Sequence, residues 1–148
     1  QFKSRDLEKT YLALVDGHPP TPIGRIEAPI IRDSRNRTQM SVGLRGSGQP
    51  AVSEYFERQR FKAHALLEIH PITGRTHQIR VHLDYIGVPV VGDTVYGRRH
   101  PSIDMDRFFL HAASLSVKLP GERVPRKFSA SLPEDLQAVL DRLKAKER

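Results

Sequence analysis

Between Lys62 and Gly87 the chain changes its hydrophobic period once, and that change limits the folds open to it. "KAHALLEIHP" has the apolar density and alternation of a buried strand. In "THQIRVHLDYIG", Ile79, Leu83 and Ile86 recur at i, i+4 and i+7 with His82 beside them, which is one buried helical stripe. Thr76 stands where an N-cap would, and Gly87 where a C′ glycine would. A strand therefore passes into a helix through a short Gly-Arg turn. Upstream, "AVSEYFERQRF" also alternates, so it predicts an antiparallel hairpin with "KAHALLEIHP".

Strand signals dominate elsewhere. "KTYLALVDG" alternates into an Asp-Gly turn, and "HPPTP" is a loop because proline cannot pair inside a sheet. "IGRIEAPI" predicts a short strand closed by Pro29, "RDSRNRTQM" a loop or edge strand, and "GLRGSGQP" a turn. "VPVVGDTVYG" is a Gly-punctuated loop, and "FFLHAASLSVKL" and "RKFSASLP" are strands. "PEDLQAVLDRLKAKER" predicts a closing amphipathic helix. Pro133 is at its first turn, Glu134 and Asp135 lie near its positive end, and Leu136, Val139, Leu140 and Leu143 form the apolar stripe. Without a βαβα rhythm, these elements predict an α+β fold with a mixed, mainly antiparallel sheet and a few flanking helices.

At 148 residues the chain fits one domain. Its 24 Lys+Arg against 17 Asp+Glu give a net charge of +7. Arg outnumbers Lys, and the planar guanidinium suits phosphates and base edges, so the expected partner is nucleic acid. There are no cysteines, which excludes disulfides and Cys-ligated zinc and fits a cytoplasmic protein. No apolar run reaches the eighteen or so residues of a membrane span, and "QFKSRDLEKTY" carries no signal-peptide core.

The densest chemistry lies in "HPITGRTHQIRVHL". Arg75 and Thr76 sit at the expected helix start, and Thr76 and His77 lie one turn from Arg80. This is either a corner that orients a phosphate or carboxylate, or a solvated helix start. Lys9 and Tyr11 share one face of their strand, either as a stacking platform beside a cation or as a half-buried Tyr next to a surface Lys. Two zinc ligands on one helix need i, i+4 spacing; His77 and His82 are five apart, and no metal is expected. His111 suits a hydrogen-bonded structural role. The chain has no phosphate-loop, dinucleotide or nucleophile-elbow motif.

"TGRTHQIRVHL" followed by "GVPVVGDTVYG" resembles the RluA/RluD-type RNA pseudouridine synthases. "EKTYLALVDG" resembles the family's K-x-Y strand, and "LLEIHP", "FFLHAASLSVKL" and "FSASLPEDL" follow in family order. The resemblance implies that a uridine is flipped into a pocket, its glycosidic bond broken, and the uracil rejoined to ribose through C5, without cofactor or metal. Flipping is needed because the reacting carbon is inaccessible in a stacked helix. It further implies that Tyr11 stacks on the uracil and assists deprotonation at C5. Arg80 would pair with a catalytic Asp and hold it ionised.

That Asp belongs to an H-R-L-D-x-x-T-S-G stretch upstream of K-x-Y, and no such stretch occurs in these 148 residues. Asp84 belongs to the later helix and Asp93 to a loop, so neither is assigned as nucleophile. The expectation is that residues 1–148 form the C-terminal portion of a synthase catalytic domain, inactive alone, with no second domain. Lys9, Arg32, Arg35, Arg37, Arg75, Thr76, His77 and Gln78 are the expected RNA contacts, on ribosomal or transfer RNA, with Arg75, His77 and Gln78 either contacting RNA or bracing the pocket. The alternative is a noncatalytic RNA-binding module of the same family.

Overall fold

The computed structural model describes residues 7–147. Its centre is a six-stranded, fully antiparallel sheet in the order β2-β5-β6-β1-β7-β8. The strands are β1 (Leu7–Asp16), β2 (Ile23–Glu27), β5 (Val52–Arg60), β6 (His64–Pro71), β7 (Leu110–Val117) and β8 (Arg126–Ser129). A separate hairpin pairs β3 (Ile30–Arg32) with β4 (Met40–Val42). Among the described residues the helices are α1 (Gln78–Tyr85) and α2 (Glu134–Lys146).

β1 and β6 read as almost continuous apolar runs because both their faces are covered. On one face, Ala13, Val15, Leu67 and Ile69 pack with Ile79 and Leu83 of α1. On the other, Leu14 and Leu66 pack with Phe109 and with Leu136, Val139 and Leu140 of α2. Strand alternation therefore assigns Tyr11, in step with Ala13 and Val15, to the α1 side.

The expected hairpin forms, with Tyr55 opposite Ile69. The expected short strand of "IGRIEAPI" is β2, and it closes before Pro29. β2 joins the main sheet, and after Ala28-Pro29 β3 turns away to pair with β4. The polar stretch 33–39 is the loop of that hairpin. Asp33 starts it by accepting the amides of Arg35 and Asn36, an Asx turn.

Three boundaries differ from the sequence reading. Thr76 does not cap α1: the N-cap is His77, in the left-handed region at φ 55°, ψ 21°, with no side-chain capping bond. Pro133 is the N-cap of α2 rather than a residue of its first turn. β7 begins at Leu110, because a tight turn from the Leu110 amide to the Phe108 carbonyl ends the ladder there. That turn sends Phe109 into the α2-side core and Phe108 toward α1. Gly87 does end α1, at φ 85°, with its amide bonded to the Asp84 carbonyl and that of Val88 to Leu83, a Schellman arrangement. Among the described residues no helix is long and apolar enough to cross a membrane.

Candidate active site

On the α1 side a pocket of about 430 Å³ opens between β1, the 71–75 turn and α1. Lys9, Tyr11, Arg75, His77, Gln78 and Arg80 all line it, together with Phe108 and Leu110. Residues far apart in sequence thus meet because β1 is central and β6 delivers the turn to its pocket end. Tyr11 pairs across to Ile69 on one side and to Ala112 on the other. A bulge lies here: Thr10 pairs with Ser114 and Tyr11 with Ala112, so Ala113 has no counterpart on β1. Bulges re-aim the local side chains. The Lys9 ammonium lies across the turn, since a Cβ on Gly74 would be 3.5 Å from its Nζ.

Arg80 is the most constrained cation in the pocket. Its Nε donates to Asp93 Oδ2 at 2.7 Å and its Nη2 to Asp93 Oδ1 at 3.0 Å, a bidentate fork. Its guanidinium carbon lies 4.2 Å from the centre of the Phe108 ring and 4.9 Å from that of Tyr96. The Arg80 side chain is 12% exposed and that of Asp93 1%. Asp93 Oδ1 also accepts the amides of Val95 and Tyr96. Burial opposes its ionisation, but the Arg80 bonds and those two amides outweigh burial and hold Asp93 below the usual carboxylate range.

Arg80 thus has a carboxylate partner within the chain, separate from the catalytic Asp expected upstream. Asp93 is not an uncommitted loop residue; it grips Arg80. Nη1 of Arg80 makes no hydrogen bond among the described residues.

Gln78 takes the second of its two expected roles, that of a brace. It is 3% exposed and all its hydrogen-bonding capacity is engaged within the protein. Its Oε1 accepts from Thr73 Oγ1 and the Arg75 amide, and its Nε2 donates to the Val52 carbonyl and Ser53 Oγ. Gln78 therefore braces the turn and has no group left for RNA. Arg75 is exposed, with its Nε on the Pro50 carbonyl, and Thr76 is exposed in the turn without lining the pocket. Arg32, Arg35 and Arg37 lie away from the pocket, on the β3–β4 hairpin, where Arg32 Nη1 donates to the Arg37 carbonyl. His111 bonds the Ala130 carbonyl, the structural role its sequence suggested.

Behind the pocket the Gln78 chain continues. His82 is 0% exposed; its Nε2–H must donate to the Ala28 carbonyl, so its Nδ1 accepts from Ser53 Oγ at 2.8 Å. Burial pushes His82 below its ordinary pKa, and the bond to Ala28 offsets this only in part. His64 and His77 are lowered too, with burial the largest cause in each. An unfolded His binds its proton near pH 6.5, whereas these resist it when folded, so stability falls as pH drops below about 6.5. Thermal melts between pH 7.5 and 5.5 should show a falling midpoint, and His82→Gln should lower the midpoint at pH 7.5 while flattening its pH dependence. A midpoint indifferent to pH in the parent protein would contradict the neutral, buried assignment.

Asp93, Tyr96 and Phe108 are the site residues that sequence reasoning did not assign. "GDTVYG" carried a local signal, an Asp able to accept amides two and three residues on, but nothing in it named Arg80 as partner.

A family profile described as RNA pseudouridylate synthase matches residues 1–85, more than half of the chain. The chain belongs to this family. An uncharacterized RNA pseudouridine synthase from Chloroflexus aurantiacus is 47% identical over 143 residues, covering 97% of this chain and 44% of the relative. The ribosomal large subunit pseudouridine synthase D of Zymomonas mobilis is 37% identical, over 97% of this chain and 47% of the relative. This member of the pseudouridylate synthase family thus spans about half the length of the curated relatives it matches. The solved structure titled human RNA pseudouridylate synthase domain containing 4 superposes with a TM-score of 0.77 at 26% identity, over 97% of this chain and 64% of that one.

Proposed function

We propose that residues 1–148 are the C-terminal part of the catalytic domain of an RNA pseudouridine synthase, acting in the cytoplasm on large-subunit ribosomal RNA. The observation that supports this most is the convergence of Tyr11 and Arg80 on one pocket, in a chain of this family. The RNA assignment draws on relatives named as ribosomal large subunit synthases D and C. In this reading a flipped uridine enters beside β1. Tyr11 lies against the uracil and takes part in removing the C5 proton after the C5–C1′ bond replaces N1–C1′. Arg80, fixed by Asp93, offers its remaining Nη1 edge to the catalytic carboxylate, which another part of the protein supplies. Lys9 and Arg75 at the pocket mouth, and Arg32, Arg35 and Arg37 on the hairpin, take phosphates.

The test is made on the full-length protein that contains this chain, with ribosomal RNA transcripts and pseudouridine detected by mass spectrometry. Tyr11→Phe keeps the ring and loses the hydroxyl; pseudouridine formation should drop by at least about 10²-fold, the scale of a lost proton-transfer group. RNA affinity should fall with salt at a log–log slope steeper than about −3, as several phosphate contacts require. RNA binding with no pseudouridine formed in any transcript would leave a noncatalytic binding module instead, and a flat salt response would remove the phosphate contacts.

A further inference from the structure

We propose that Tyr96 is a positioning residue that fixes Arg80 and His77 and ties both to the basic β3–β4 hairpin. An RNA seated on the hairpin is then held in register with the pocket. The proposal rests on the synthase reading only for the nature of the ligand.

Tyr96 touches three parts of the site with one side chain. Its hydroxyl accepts the Met40 amide, at the start of β4, at 2.9 Å. The same oxygen lies 2.6 Å from His77 Nδ1. Its ring lies against the Arg80 guanidinium and meets the His77 ring edge-on, with centroids 5.5 Å apart. Its own amide bonds Asp93, which grips Arg80 from the other side. Tyr96 also packs against the small core that joins the hairpin to α1, built on Ile30, Ala51 and Val81.

The direction of the bonds follows from counting donors. Burial and the charge of Arg80 lower the pKa of His77, so the imidazole is neutral at pH 7. The Met40 N–H already occupies one lone pair of the phenol oxygen. The hydroxyl proton has no other acceptor among the described residues and goes to Nδ1, leaving Nε2–H as the free donor of His77.

His77 needs this partner. As a non-glycine residue in the left-handed region it is held at a backbone cost of roughly 1–2 kcal/mol, so its surroundings must over-determine it. The Tyr96 hydroxyl does so while reaching the hairpin in the same step. One group thus joins α1, the Asp93 loop and β4 beside the pocket.

Tyr96→Phe in the full-length protein isolates the hydroxyl, since the ring stays on Arg80. Hydrogen exchange in residues 30–42 should speed up by about tenfold as the hairpin loosens, with the melting temperature little changed. In turnover the loss should fall mainly on KM. The decisive measurement is a double-mutant cycle at fixed salt. Arg35→Gln with Arg37→Gln should weaken RNA binding by about tenfold in the parent protein and less than about threefold beside Tyr96→Phe, because an untethered hairpin no longer sets the register. Equal losses in both backgrounds, or unchanged hairpin exchange, would overturn the role of Tyr96. Coupled losses of RNA affinity in a protein that makes no pseudouridine would instead sink the synthase reading and leave Tyr96 as the tether.

Discussion

Arg80→Ala in the full-length protein should lower pseudouridine formation by about 10²–10³-fold while RNA affinity stays within a few-fold. The separation follows from where Arg80 sits. Its side chain is 12% exposed, forked onto Asp93 and stacked between Phe108 and Tyr96, so little of it can reach a phosphate outside. Binding depends on the exposed cations of the pocket mouth and hairpin, which the substitution leaves alone. Chemistry depends on a guanidinium held in one place against a charge that must stay ionised. Single-turnover rates and filter-binding affinities measured on the same RNA decide the matter. Parent-like turnover would remove Arg80 from the mechanism, and an equal collapse of affinity would make it an RNA contact.

Asp93→Ala should cost roughly 3–5 kcal/mol of stability, the usual penalty for leaving one partner of a buried ion pair alone. For a protein of this size that is ~10 °C or more in melting temperature. The loss is large because four donors are orphaned together: the two N–H groups of the Arg80 fork and the amides of Val95 and Tyr96. Arg80→Met combined with Asp93→Leu removes the charges as a pair and should recover much of the stability, though not the activity. Acid has the same effect as the single substitution. The Asp93 pKa is depressed on folding, so its contribution is complete above the unfolded value near 4 and disappears as pH falls through the lower folded value. A melting temperature within 2–3 °C of the parent for Asp93→Ala would mean that Arg80 finds another anion or reaches water.

Local chemistry was the legible part. Period and punctuation located β1, the β5–β6 hairpin, α1 and α2, because each hides an apolar face on its own scale of a few residues. The break at Ala28-Pro29 was visible as a proline, but its consequence was not. The following strand founds a second hairpin with β4, whose Met40 amide is held by the Tyr96 hydroxyl, more than fifty residues on. The role of Gln78 was open in the sequence for a related reason. In sequence it stands among Arg75, Thr76 and His77 and shares their polarity. The acceptors of its amide group, on β5, are brought to it only by the fold, and they make it a brace. Lys9, Tyr11 and Arg80 could be singled out, but their meeting required the strand order, since β6 and its turn must lie beside β1.

The unmatched Ala113 in β7 has a consequence for how the chain can vary in length. On a regular ladder, removing one residue reverses which side every later side chain faces. Here the extra residue already performs that reversal, so the stretch leading to Leu110 and Phe108 and the stretch paired with β8 are out of phase by design. Loops such as 43–49 lie outside the main sheet and can lengthen or shorten without disturbing its phase. A one-residue deletion at 113 would not simply shorten a strand. It would turn either the pocket wall or the sheet edge inside out, so β7 tolerates substitution far better than it tolerates a change of count.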